Sequence, residues 1–246
     1  MQLTFTGIIP ARYGSSRFPG KPLALVHGLP MVVKVWENTR EELENVYIAT
    51  DNNEIRETAE KAGASVIMTS DKHLSGTERV FEACKKILFS NPADQVILNI
   101  QGDEPMITGK VIRQLCNAFS DTEVEIATLV NKTSDPEIIN NPNRVKTILD
   151  HCGNAMYFSR SPIPFNSDKE ISPEENCHFH HVGIYAFRLP VLKKISSLKP
   201  TCLEKKEKLE QLRWLENGYK IRCIETDYSG FGIDTPDDLE NLNKSL

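Results

Sequence analysis

At 246 residues the chain is long enough to bury a sizeable core, and a formal charge of −5 excludes a general nucleic-acid partner. No stretch approaches membrane-spanning length, and "MQLTFTGIIP" lacks a cationic segment ahead of a long apolar one, so a cytoplasmic protein with no membrane partner is expected. The six cysteines (84, 116, 152, 177, 202 and 223) are scattered without a C-x-x-C pair, which argues against a zinc site or a disulfide framework and for free thiols.

Phe5 to Ile9 reads as a first strand, and Pro30 to Arg40 as a helix with Met31, Val32, Val35 and Trp36 on one side. "VYIAT" (46–50) is a strand, "NNEIRETAEKAG" a helix stopped by Gly63, "ASVIM" a strand, and Thr77 to Leu88 a helix opened by Ser75. "DQVILNI" (94–100) is the most apolar strand, and Thr108 to Phe119 is helical. This alternation predicts an α/β fold whose mostly parallel sheet is covered on both faces. After about residue 120, "EIATLV", "RVKTILD" and "AMYFSR" follow one another as strands without intervening helices, which predicts an antiparallel extension. Residues 166–177 read as a polar loop, and "HHVGIYAF" returns to strand. "CLEKKEKLEQLRWLENG" reads as one strong helix, with Leu203, Leu209, Leu212 and Leu215 as its apolar stripe and Glu204–Lys208 as a surface pair. "YKIRCIE" is a strand, and a helix from Pro236 closes the chain.

The loop after the first strand, "ARYGSSRFPGKPL", carries Arg12, Arg17 and Lys21 and no carboxylate. The first acidic residue in the chain is Glu37, although the average composition would put roughly five before it. Ligands on open α/β sheets lie beyond the carboxyl ends of strands. Gly14 and Gly20 allow close backbone approach there, Pro19 and Pro22 limit the loop's freedom, and the cations with exposed amides make a cradle for a polyphosphate. Neither G-x-x-x-x-G-K-[ST] nor G-x-G-x-x-G is present in this loop, so the two common phosphate motifs do not supply the warrant.

"NIQGDEPMI" (99–107) ends the most apolar strand in an acidic turn, and Asp103 is placed there for a divalent cation, flanked by Gln101 and Glu104. In "GIDTPDDL" (232–239), capping accounts for Thr235, Pro236 and Asp238 but leaves Asp234 unexplained. Magnesium commonly takes one or two protein carboxylates with phosphate oxygens, and Asp103 and Asp234 are the candidate pair. Ser75 and Glu78 have capping-box spacing, and the amides of that helix start can also serve a base or phosphate.

These segments, with "ATD" (49–51), "NPNRVK" (141–146), "YFSR" (157–160), "HVGIYAFR" and "LEKKEKLEQLRWLENG", occur in the order found in the 3-deoxy-manno-octulosonate (Kdo) cytidylyltransferases, which the chain resembles from residue 5 to about 240. The resemblance implies a Rossmann-like nucleotide-diphospho-sugar transferase fold, with a central mixed, mostly parallel sheet and an antiparallel dimerisation extension. It implies one domain over 1–246, with about 150–185 as an inserted hairpin serving dimerisation and the sugar acid. The implied reaction joins CTP and Kdo into CMP-Kdo and pyrophosphate with magnesium, for lipopolysaccharide biosynthesis, in a cytoplasmic homodimer.

By position, Arg12 and Lys21 correspond to triphosphate ligands and Ser75 and Gln101 to cytidine-holding segments. Asp103 and Asp234 correspond to magnesium ligands. Arg160, His181, Tyr185, Glu210 and Gln211, together with Ser15 and Arg17, correspond to the sugar-acid site. Arg12, Lys21, Asp103 and Asp234 would then carry catalysis, with metal-assisted deprotonation and no dedicated histidine base. His180 stands where such relatives often have arginine. A CMP-sialate type synthetase is the alternative, but its first loop usually follows R-x-G-S-K-x-[IL]-x-x-K-N rather than "RYGSSRFPGKPL".

Overall fold

The computed structural model describes residues 3–14, 18–73, 75–87, 89–165, 178–230 and 232–244. Its principal strands are β1 Thr4–Ala11, β2 Asn45–Thr50, β3 Ser65–Met68, β4 Gln95–Asn99, β5 Ile126–Lys132, β6 Lys146–Leu149, β7 Ala155–Ser159, β8 Phe179–Arg188 and β9 Arg222–Glu225. The α-helices are α1 Met31–Arg40, α2 Asn53–Lys61, α3 Gly76–Lys86, α4 Gly109–Asn117, α5 Pro136–Asn140, α6 Leu189–Ile195, α7 Cys202–Glu207, α8 Gln211–Glu216 and α9 Pro236–Lys244. They fold as two compact units, one of 1–113, 188–196 and 230–246, the other of 114–187 and 197–229.

In the first unit, β1 pairs in parallel with β2 on one side, Ile9 opposite Ile48, and with β4 on the other, Ile8 opposite Asn99. β3 continues the sheet beyond β2, also in parallel. Successive residues Ile8 and Ile9, and Val96, Ile97 and Leu98, are all fully buried. Burial on both faces of a parallel sheet explains why these strands read as continuous apolar runs rather than alternating ones. Asn52 caps α2 and Ser75 caps α3, each accepting a backbone N–H with its side chain, at 3.0 and 3.2 Å. A second small core gathers Val26, Met31, Ile233 and Leu242, with Phe18 and Leu239 packed against it. It anchors the cationic loop to the chain's last segment.

In the second unit, β9 runs parallel to β5, whereas β8 is antiparallel to both β5 and β6, and β7 is antiparallel to β6. The antiparallel extension expected after residue 120 is therefore present, with two corrections to the sequence reading. A short helix, α5, interrupts the run of strands; Asp135 caps it by accepting from Glu137 N–H at 2.9 Å, and Pro136 occupies its first turn.

The expected long helix over 202–218 is two helices, broken at Lys208, whose φ of 57° is left-handed. That conformation costs a non-glycine residue about 1–2 kcal/mol. Tertiary bonds offset it. Arg213 grips Glu204 through two hydrogen bonds of 2.8 and 2.5 Å, folding α8 back on α7, and the Glu207 carbonyl accepts from Arg160 Nε at 2.8 Å. The expected Glu204–Lys208 side-chain pair is thus replaced by Glu204–Arg213, which also holds the Glu204 carboxyl below its ordinary pKa against the opposing effect of burial. Local helix propensity is a weak prior, and here the tertiary contacts override it.

Candidate functional site

In the first unit, the ends of β1 and β4, the start of α3 and the segment before α9 line a cavity of about 240 Å³. Its walls include Arg12, Lys21, Ser75, Gln101, Asp103 and Asp234. The sequence thus named six residues that the fold brings to one place.

The local causes can be traced. Gly20, at φ 70°, donates its N–H to the Tyr13 carbonyl at 3.1 Å and closes the loop, so that Lys21 begins a short 3₁₀ turn. Only a glycine adopts such a dihedral without strain. At Gly102 an added Cβ would meet the Pro10 carbonyl oxygen at 3.0 Å, so the turn carrying Gln101 and Asp103 lies close against the end of β1 only because it has no side chain there. Ile233 N–H donates to the Asp103 carbonyl at 2.9 Å, and the fully buried Ile233 side chain pins that backbone in the small core. Asp234 follows directly. Thr235 and Asp238 form the expected capping box, and Asp238 also accepts from the Asp234 N–H at 3.0 Å, leaving the Asp234 carboxylate outside the cap.

The result is a cation between two acids. Lys21 Nζ lies 2.6 Å from Asp103 and 3.7 Å from Asp234, and donates to the Ile233 carbonyl at 2.8 Å. The lysine side chain is 15 % exposed, against 31 % and 43 % for the two acids, so the site opens on its acidic side. Among the described residues no set of three or more acidic, histidine or cysteine side chains could hold a metal. Two carboxylates completed by phosphate oxygens and water are nevertheless an ordinary magnesium environment, and the ammonium already held between them shows that the pair accommodates positive charge.

Two residues that sequence reasoning gave no role also reach this region. Arg79, 3 % exposed, donates to Asp51 and Thr69, each at 2.6 Å, and lines the cavity. His73 lies at its edge, in a short contact with Glu82. Glu82 is held down to about pKa 2: burial opposes this, but hydrogen bonds from Lys86, Ser70 and His73 outweigh it. Arg79 pairs across 28 positions of sequence, so no local pattern exposes it. Ser15 and Arg17 lie outside the described residues.

In the second unit, Arg160 directly follows β7. Its backbone N–H donates to the Glu207 carboxylate at 2.9 Å, Nε to the Glu207 carbonyl, and one terminal nitrogen to the Pro142 carbonyl at 3.0 Å. The Arg160 carbonyl accepts from Lys146, a fully buried lysine that also donates to the Asn141 and Arg144 carbonyls, at 2.6 to 2.7 Å throughout. Burial, then the Arg160 charge, lower the Lys146 pKa. Lys146 and Glu207 therefore set where Arg160 sits. Lys146 closes the "NPNRVK" segment, and nothing in that local pattern exposes its role.

His181 and Tyr185 lie on β8 with ring centroids 5.3 Å apart, although four residues of regular strand span about 13 Å. A bulge explains the difference: Val182 pairs with Leu129 and Tyr185 with Thr128, so two extra residues are looped into β8. Phe158 meets His181 edge-on at 5.0 Å, and Trp214 meets Tyr185 likewise. Burial, reinforced slightly by His180, lowers the His181 pKa to about 3; burial, then Arg144, lowers that of His180 to about 4. Both are neutral near pH 7. Burial, then Cys223 and Glu210, push the Tyr185 hydroxyl well above its ordinary value, which puts the half-buried Glu210 within electrostatic reach of that ring. Gln211 is buried at the start of α8. The fold thus gathers His181, Tyr185 and Glu210, and fixes Arg160 through partners the sequence did not reveal.

The sequence pattern of the family described as "Cytidylyltransferase" matches residues 6–221. A 3-deoxy-manno-octulosonate cytidylyltransferase of Parabacteroides distasonis is 46 % identical over 97 % of this chain and 96 % of its own. One from Thermodesulfovibrio yellowstonii is 44 % identical over the same shares. Among solved structures, a CMP:2-keto-3-deoxy-manno-octonic acid synthetase complexed with CTP superimposes with a TM-score of 0.89 at 36 % identity, covering 98 % of each chain. The fold is accordingly the expected mixed α/β nucleotidyltransferase architecture with a central, mostly parallel sheet.

Proposed function

Since the chain belongs to the cytidylyltransferase family, within the 3-deoxy-manno-octulosonate cytidylyltransferases, we propose that it transfers CMP from CTP to Kdo, releasing pyrophosphate. The observation that carries this reading is Lys21 held between Asp103 and Asp234, in a cavity that also includes Arg12, Ser75 and Gln101. Arg12 and Lys21 bind the triphosphate and offset its charge, while Ser75 and Gln101 hold the cytidine. Ser15 and Arg17 take part in binding the sugar acid. Asp103 and Asp234 hold magnesium, which when bound neutralises phosphate charge and lowers the pKa of the attacking hydroxyl.

Arg160 takes the sugar-acid carboxylate, since a guanidinium forms two parallel hydrogen bonds to that group. His181, Tyr185, Glu210 and Gln211 engage its hydroxyls. The Kdo anomeric oxygen bonds to the α-phosphorus as the bond to pyrophosphate breaks; alignment and charge stabilisation supply most of the acceleration. No histidine serves as general base. With a pKa of about 3, His181 binds a proton too weakly for that role and acts as a neutral hydrogen-bonding group.

Residues 1–246 act as one catalytic domain, with about 150–185 serving the dimer and the sugar acid. The enzyme works as a cytoplasmic homodimer, and its product enters lipopolysaccharide biosynthesis. The direct test is pyrophosphate release from purified protein with CTP, magnesium and Kdo, each omitted in turn, and with sialic acid in place of Kdo. Turnover that requires all three components and Kdo is expected. Preference for sialic acid overturns the substrate, and no turnover with either acid overturns the reaction.

A further inference from the structure

The bulge in β8 raises a question of where its backbone carbonyls find donors, and the answer involves Thr128 on β5. Thr128 Oγ1 lies 2.8 Å from the Ile184 carbonyl, 3.2 Å from the Val182 carbonyl and 3.0 Å from His181 Nε2. It is fully buried, so water does not contribute. A threonine hydroxyl has one proton and accepts with its lone pairs. Were that proton given to His181, two carbonyl oxygens would face the hydroxyl oxygen with no hydrogen between them, at distances where lone pairs repel. The proton therefore goes to the carbonyls, Ile184 being the nearer, and His181 must be the donor to Thr128.

We propose that Thr128 is a positioning residue that fixes His181 as the Nε2–H tautomer, leaving Nδ1 as a hydrogen-bond acceptor for a hydroxyl of the sugar acid. The inference rests on the reading that His181 belongs to the sugar-acid site. Two further observations support it. The ring cannot rotate freely, being held edge-on by Phe158 at 5.0 Å and tilted against Tyr185 at 5.3 Å. Burial also keeps the imidazole neutral, so the two nitrogens have opposite roles. A neutral acceptor discriminates among hydroxyl patterns without attracting anions in general, which suits an enzyme that must select one sugar acid.

The test is nitrogen-15 NMR of histidine-labelled full-length enzyme, with the His181 signals assigned by their loss in His181→Ala. It is applied to wild type, Thr128→Ser and Thr128→Val, with KM for Kdo and CTP measured separately. Wild type and Thr128→Ser should show a protonated Nε2 and a bare Nδ1. Thr128→Val should bring in Nδ1–H and raise KM for Kdo about fivefold, with KM for CTP nearly unchanged, the loss expected for one neutral hydrogen bond. A wild-type spectrum dominated by Nδ1–H overturns the proposal even should Thr128→Val fail to fold. So does a folded Thr128→Val with unchanged tautomer or unchanged KM for Kdo. If His181→Ala leaves KM for Kdo unchanged, the assignment of His181 to the sugar acid fails, and the acceptor role with it, whatever the tautomer.

Discussion

The two units solve recognition by different means. In the first, Lys21, Asp103 and Asp234 are charged and partly open to solvent, and they depend on a tight loop, a missing side chain at Gly102 and one backbone bond from Ile233. In the second, His181 and Tyr185 are buried and neutral, and the cations nearby, Lys146 and Arg160, are bonded to backbone carbonyls. The contrast matches the ligands proposed for them. A triphosphate with its metal is selected by charge, and a sugar acid by the positions of buried polar groups, where an unmatched partner is costly.

This contrast predicts that stability and activity separate by region. The largest effect is expected for Lys146→Met in the second unit. Three carbonyls lose their donor in a buried site, and stability should fall by about 3–5 kcal/mol, read as a lower urea midpoint. Asp103→Asn in the first unit should do the reverse. Its urea midpoint should stay close to wild type, because the ion pair is part-exposed, while kcat falls about 10²–10³-fold. Equal losses of stability in the two variants would erase the distinction.

Acid should sharpen it further. His180 and His181 titrate near 4 and 3 in the fold, against 6.5 when unfolded, so the unfolded chain binds more protons between those values. Their stabilising contribution is complete above pH 6.5 and declines as pH falls, by up to about 1.4 kcal/mol per pH unit for each histidine. Urea melts at pH 7 and pH 5 should show the loss, and His180→Asn should flatten it. A slope unchanged by that substitution would contradict the neutral-histidine account. The smallest effect is expected at Lys208: glycine there should raise stability by about 0.5–1 kcal/mol, since it adopts the left-handed conformation without the Cβ penalty.

Much of the first unit was legible because its signals are local. Parallel strands read as apolar runs, Ser75 and Thr235 as helix caps, and the absence of acids before Glu37 marked the cationic loop. Asp234 stood out because capping did not account for it. The second unit was less legible because its decisive bonds join distant residues. The break at Lys208 is stabilised by Arg213 across the turn and by Arg160, 47 positions from its partner Glu207, and Thr128 looks like any buried strand threonine until the bulge opposite is seen. The helix at Pro136–Asn140 carries only the local signal Asp135–Pro136, which the surrounding strand-like segments obscure.

The central claim is that Asp103 and Asp234 hold a divalent cation together with the nucleotide triphosphate, at the place where Lys21 now supplies the positive charge. Manganese binding followed by electron paramagnetic resonance, with and without a non-hydrolysable CTP analogue, tests it most directly. Tight binding that requires the analogue, weakened at least about tenfold in both Asp103→Asn and Asp234→Asn, is the expected result. Manganese affinity unchanged in both variants would contradict it.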